Sequence, residues 1–169
     1  MRDIIERHAI DQKIYSVHET AIIESIHIGG GTKIWAYSHI CSLASIGENC
    51  VIGEGVYIGP RVVIGNNVRI QNHALIYEGV TIEDDVMIGP NVVTTNDFYP
   101  INADHEEWKE TRFRKTLIKR GASIGANCTI VCGVTIAEQS LIGCGSVITN
   151  DTEKDCLYYG NPARKIREV

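Results

Sequence analysis

Asn96, Asp97 and Glu78 are the residues of this chain whose types and spacing could do chemistry. A side-chain amide can hold a nucleophile by its hydrogen bonds, and a nearby carboxylate can take or relay the proton that the nucleophile loses. Asn96 and Asp97 stand at the start of a segment that holds Phe98, Tyr99, Trp108 and Phe113 among many charges. Glu78 precedes Asn96 by 18 residues, a separation whose meaning depends on the elements carrying the two. Asn and Asp also cap turns routinely, so the opening of a long segment would by itself account for Asn96 and Asp97. Among six histidines, His39 and His73 fall in a regular region, and His73, beside Asn72 and shortly before Glu78, is a candidate for touching a ligand. Positive charge gathers late, at Lys119, Arg120, Arg164, Lys165 and Arg167. It suits phosphate groups, although each residue alone also fits an ordinary surface.

The elements that must position these groups follow from isoleucine, which recurs every six residues. Twelve stand in one row from Ile22 to Ile88, and the same phase resumes at Ile118 and runs to Ile148. On a helix a six-residue step turns about 240° net, so the isoleucines would form no single apolar face. On extended chain six is a multiple of the two-residue pleat, and every repeat returns its isoleucine to the same inward side. The residue two before it is usually small or β-branched, as at Ala44, Cys50, Val56, Ala122 and Cys128, and glycine often follows it, as at Gly47, Gly53, Gly65, Gly89 and Gly125.

Short strands joined by tight bends close into a triangular coil of three hexads. This predicts an all-β parallel β-helix of about six coils, with coils about 4.8 Å apart. Residues 18 apart then stack, which puts Glu78 directly beneath Asn96. The expected organisation is an N-terminal cap over 1–21, a β-helix over 22–153 with an inserted loop at 95–117, and a C-terminal cap over 154–169. Between Thr94 and Ile118 some 18 residues have been added without loss of phase. A connection of that length in a compact domain is more often functional than not.

Composition bounds the rest. The 169 residues carry 16 basic and 21 acidic side chains, a net charge of -5, with 44% apolar and 22% charged residues. That describes one globular domain and gives no reason to expect nucleic acid or an anionic membrane as partner. The N-terminus has no apolar run of signal-peptide length, so a cytoplasmic protein is expected. Six cysteines without a C-x-x-C spacing do not suggest disulfides or zinc. No metal is expected, because His39 and His73 are 34 residues apart rather than 36 and do not stack.

The stretches Gly31-Thr32-Lys33-Ile34-Trp35, Ile70-Gln71-Asn72, Tyr77 to Val86, Gly89 to Asp97, Lys119 to Ile136 and Gly160-Asn161-Pro162-Ala163-Arg164 resemble the hexapeptide-repeat acyltransferases. Within that superfamily they are most similar to the nucleotide-linked 3-amino-sugar N-acetyltransferases of surface-polysaccharide biosynthesis. The resemblance covers roughly residues 17 to 167. It alone implies a left-handed coil, since parallel crossovers are ordinarily right-handed. It further implies acetyl-CoA as co-substrate, the 3-amino group of a UDP- or dTDP-linked sugar as acceptor, and a role in lipopolysaccharide or O-antigen synthesis. A homotrimer is implied too, with clefts shared between neighbours.

In that frame Asn96 orients the amine, with Glu78 or Asp97 accepting its proton. Asn72, His73, Tyr77, Arg112 and Arg114 contact the sugar nucleotide, and Lys119, Arg120, Ala126, Gly143, Arg164 and Lys165 hold coenzyme A. An amine flanked by electron-withdrawing oxygens has a pKa no higher than about 7.7–8.0, so positioning can dominate over a strong base. Relatives place an arginine after the loop's Pro100, where this chain has Ile101, which leaves Arg112 or Arg114 to supply that charge. A 4-amino sugar or another small acceptor is an open alternative, as is a non-catalytic assembly subunit.

Overall fold

The structure is a computed structural model that describes residues 4–8, 14–100 and 113–169. Strands of mostly two residues build three walls of ten, seven and six strands. Each wall strand pairs in parallel with its neighbour one coil away, as in Ile34 with Ile52, Ile52 with Ile70 and Ile70 with Ile88. The inward column is fully buried at Ile40, Ile52, Ile58, Ile70, Ile76 and Ile88, because an 18-residue coil brings each isoleucine back over the last. The fold is the expected left-handed parallel β-helix. It has about seven coils rather than six, because the ten-stranded wall already begins at Ile14–His18, which pairs in parallel with Lys33–Ile34. At the two ends this wall is closed by antiparallel partners, Ile4–His8 on Ile14–His18 and Ala163–Glu168 on Cys156–Gly160.

The first coil departs from the period. Ile23, not Ile22, lies against Ile40, while Ile22 pairs with the outward-facing His39 and is 57% exposed. Ile23 and Ile28 are five residues apart, so the corner between them is one residue short, and the inward row of six-residue steps starts at Ile28. Ser25 fills the small inward place at that corner, its buried Oγ donating to the carbonyl of Ala44 at 2.5 Å.

The prism has three kinds of corner. The chain leaves the ten-stranded wall for the seven-stranded one at the first, reaches the six-stranded wall at the second, and returns at the third. At most corners the third residue after the inward one is left-handed, including non-glycine residues such as Tyr37, Arg61, His73, Asn91 and Asn127 with φ between 56° and 60°. Glycine directly after the isoleucine answers a different need. A Cβ on Gly89 would sit 2.7 Å from the nitrogen of Ala126 and 2.8 Å from the carbonyl carbon of Gly125, so the coils stack too closely for a side chain there. Across the inserted loop, Thr94 pairs with Ile130 and Ile82 with Ile118. The wall therefore closes as if nothing had been added.

Five cysteines are buried and Cys144 alone is exposed. Cys50 and Cys128 take the small inward position, and burial pushes both thiols up from their ordinary pKa. A disulfide-exchange reagent should therefore modify one thiol of the native protein quickly and all six after unfolding. Cys144→Ser should remove the fast phase; a second fast thiol would show that the prism opens.

Candidate active site

The second corner is where the chain departs into the loop, and the inward column changes there. Thr94 replaces isoleucine and is fully buried; its Oγ1 accepts from the Tyr77 N–H at 2.9 Å and donates to the Leu75 carbonyl at 3.3 Å. A methyl-bearing hydroxyl thus holds the strand end that carries Tyr77 and Glu78. The loop's neck is closed by a bridge between Asp97 and Phe113 and by the Arg114 N–H donating to the Asn96 carbonyl at 3.4 Å. Below it the Thr116 N–H donates to the Gly79 carbonyl at 3.0 Å.

These elements enclose a cleft of about 390 Å³ lined by Arg61, Glu78, Gly79, Phe113, Arg114 and Lys115. Glu78 is held by Arg61, whose Nε donates to Oε1 at 2.9 Å and whose Nη2 contacts the same oxygen. The Arg114 guanidinium lies 3.6 Å above the centre of the Phe98 ring. Asp97 accepts from the Tyr99 N–H at 3.0 Å, which commits one of its oxygens to the turn. Among the described residues no hydrogen bond engages the half-buried side-chain amide of Asn96. It is a polar group with its bonding capacity still open. Tyr77 is 5.5 Å from Tyr57, ring centre to ring centre, and the Tyr57 phenol is pushed up to about 12, first by its hydrogen bond to Cys41 and then by burial.

The structure thus brings Glu78, Asn96, Asp97, Tyr77 and Arg114 to one corner. Arg112 and Ile101 lie outside the described residues. Asn72 and His73 are at the first corner instead, six residues of chain and at most about 20 Å from Glu78. Asn72 Oδ1 there accepts from the Glu54 N–H at 3.1 Å, and exposed His73 is a left-handed corner residue stacked above Gly55. Ala126 and Gly143 belong to higher turns of that same corner. Lys119 and Arg120 are at the third corner, while Arg164 and Lys165 are on the last strand of the ten-stranded wall.

Three of the four basic residues already have carboxylate partners. Lys119 meets Glu138 at 3.0 Å, Arg120 meets Asp84 at 2.8 Å and Lys165 meets Glu153 at 2.7 Å. The Glu153 contact is the main reason that the ammonium of Lys165 is held above its ordinary pKa. These pairs are at least partly exposed, which keeps their net attraction small.

Arg61 and Lys115 were not singled out from sequence. The 18-residue register does contain the signal for Arg61, because it places Pro60 beneath Glu78 and the next residue at the cleft's rim.

Comparison with known proteins points the same way. A GMPPB C-terminal domain model matches residues 36–98, and a model of the hexapeptide repeat of succinyl-transferase matches residues 118–150. Over 148 residues the chain is 48% identical to the dTDP-3-amino-3,6-dideoxy-α-D-galactopyranose 3-N-acetyltransferase of Aneurinibacillus thermoaerophilus, covering 88% of this chain and 75% of that one. Among solved structures, a galactoside acetyltransferase in complex with coenzyme A aligns with a TM-score of 0.64 at 31% identity, over 75% of this chain and 64% of that one. A hexapeptide-repeat-containing acetyltransferase from Vibrio cholerae O1 biovar eltor, complexed with acetyl coenzyme A, aligns at 0.56 and 26% identity over 69% of each chain. This chain belongs to the hexapeptide-repeat acyltransferases, and within them to the nucleotide-linked 3-amino-sugar N-acetyltransferases.

Proposed function

We propose that this protein transfers acetyl from acetyl-CoA to the 3-amino group of a UDP- or dTDP-linked amino sugar, a cytoplasmic step in making a surface glycan such as O-antigen. The observation that carries the reading is the side-chain amide of Asn96, without a hydrogen bond among the described residues, at the neck of a loop that borders the cleft whose carboxylate, Glu78, is fixed by Arg61. The neutral amine bonds to the thioester carbonyl carbon, the C–S bond breaks, and coenzyme A leaves as a thiolate. The proton shed by the new ammonium passes to Glu78 or water and from there to the thiolate. Asn96 holds the amine along the attack line, which converts a bimolecular encounter into a positioned one.

The same reading makes the protein a homotrimer. Within one prism the coenzyme A candidates Ala126 and Gly143 are one wall away from the corner of Asn96. A neighbour laid alongside would face its first corner to this second corner, so a shared cleft unites the two sets.

The test is release of free coenzyme A thiol from acetyl-CoA against a panel of UDP- and dTDP-linked 3-amino and 4-amino sugars. Turnover with a 3-amino sugar alone is expected. Turnover confined to 4-amino sugars would move the acceptor position, and silence across the panel with acetyl-CoA still bound would move the acceptor outside nucleotide sugars.

A further inference from the structure

Near the N-terminal end of the prism, also at the second corner, three side chains of different chemistry converge. His39 Nε2 is 2.9 Å from Glu24 Oε1 and 3.8 Å from Cys41 Sγ, and the three ligand atoms all lie within 4.8 Å of one another. The shortened first coil is what makes this meeting. With Ile23 paired to Ile40, Glu24 sits directly beneath Cys41. A full 18-residue step would have set it beneath Ser42 instead. His39 and Cys41 flank the inward Ile40 and so point to the same outer side of their strand.

We propose that Glu24, His39 and Cys41 form a binding site for one transition-metal dication of the zinc type. One carboxylate, one imidazole and one thiolate make a mixed O, N, S set that suits such an ion and excludes magnesium or calcium. Tetrahedral bonds of about 2.0–2.3 Å set donors roughly 3.3–3.8 Å apart. The sulfur–nitrogen distance of 3.8 Å is at the upper edge of that range, and the flexible glutamate, now 2.9 Å from the imidazole nitrogen and within 4.8 Å of the sulfur, must move to take its place between them. The surroundings orient the donors. Glu24 Oε2 accepts from the Ser42 N–H at 3.0 Å, and the Tyr57 ring stands edge-on to His39 at 5.7 Å. The side chains of His39 and Glu24 are 35% and 46% exposed, which leaves an entry path and room for water as a fourth ligand. The ion would tie the first coil to the second, and the Cys41 thiol proton would go to solvent on binding.

The site mixes three residue types, so spacing between histidines could not reveal it. The test uses the full chain, stripped of metal by a chelator and titrated with Co²⁺ alone and then Zn²⁺. One Co²⁺ per chain with thiolate-to-cobalt charge-transfer absorption is expected, displaced by one Zn²⁺ with release of a proton near neutral pH. Cys41→Ser should abolish that absorption, His39→Gln and Glu24→Gln should weaken binding at least tenfold, and Cys144→Ser should change nothing. Zinc should raise the melting midpoint of the wild type and of Cys144→Ser only. The site is refuted if the wild type shows no thiolate absorption, if Cys41→Ser retains it, or if the two surface variants bind as tightly as the wild type.

Discussion

Asn96→Ala lowers kcat/KM for acetyl transfer by about 10²- to 10³-fold, the range found when one preorganised hydrogen-bonding group is removed from a reacting centre. The expected loss falls on kcat, with KM for acetyl-CoA unchanged, because Asn96 acts on the amine and the thioester arm is held elsewhere. Structure should not suffer. The loop neck is held by the backbone of Asn96 and by the bridge between Asp97 and Phe113, and the side-chain amide has no hydrogen-bond partner to lose among the described residues. The melting midpoint should therefore stay within about a degree of wild type while activity collapses. Glu78→Gln tests the neighbouring claim. If Glu78 relays a proton that water can also carry, the loss is about tenfold, and Arg61→Ala gives a similar loss by freeing the carboxylate that it holds at 2.9 Å. An unchanged kcat/KM in Asn96→Ala would return Asn96 to the status of a turn residue.

Most of the wall was legible because its cause is periodic. A residue that must return inward every six positions leaves a trace that one sequence shows without comparison, and the pairing of Ile52 with Ile70 and of Ile70 with Ile88 follows it. Where the period is obeyed by composition but not by geometry, the reading failed. Ile22 is in phase, yet Ile23 takes the inward place, because a corner can drop a residue and no rule of composition marks which corner will. Glycine was legible in its role of close approach, whereas the left-handed corner position was not, since Tyr37, Arg61 and His73 occupy it as readily as glycine.

At the site, stacking by 18 residues foresaw the shared corner of Glu78 and Asn96. Arg61 was missed although the register places it beside Pro60 beneath Glu78, because no property of its own marks it: an arginine at a corner reads as ordinary surface charge until its side chain is seen on Glu78. The candidates for coenzyme A scatter over the first and third corners and the terminal strand for the same reason. Charge and small size are properties that many corners share, and sequence order alone does not say which corner will face a neighbour.

Ile76→Ala carries the second large effect and tests how the fold supports the site. Ile76 is fully buried, beneath Thr94 and against Ile58. Removing its outer carbons leaves a cavity that rigid, hydrogen-bonded coils cannot close. The expected cost is about 3–4 kcal/mol, within the range of buried isoleucine truncations, or roughly a 6–16 °C fall in melting midpoint for a domain of this size. Ile26→Ala provides the contrast, since Ile26 is 70% exposed at the shortened corner and its truncation should stay within about 0.5 kcal/mol. The effect of Ile76→Ala should also reach the chemistry. Thr94 Oγ1 grips the Tyr77 N–H from the coil above, and a void at Ile76 lets that strand end shift, so Glu78 loses its register with Asn96. Thermal melting combined with kcat/KM at a temperature where both proteins are folded separates the two consequences. A stability loss without any loss of activity would mean that the loop neck, rather than the inward column, sets the geometry of the second corner.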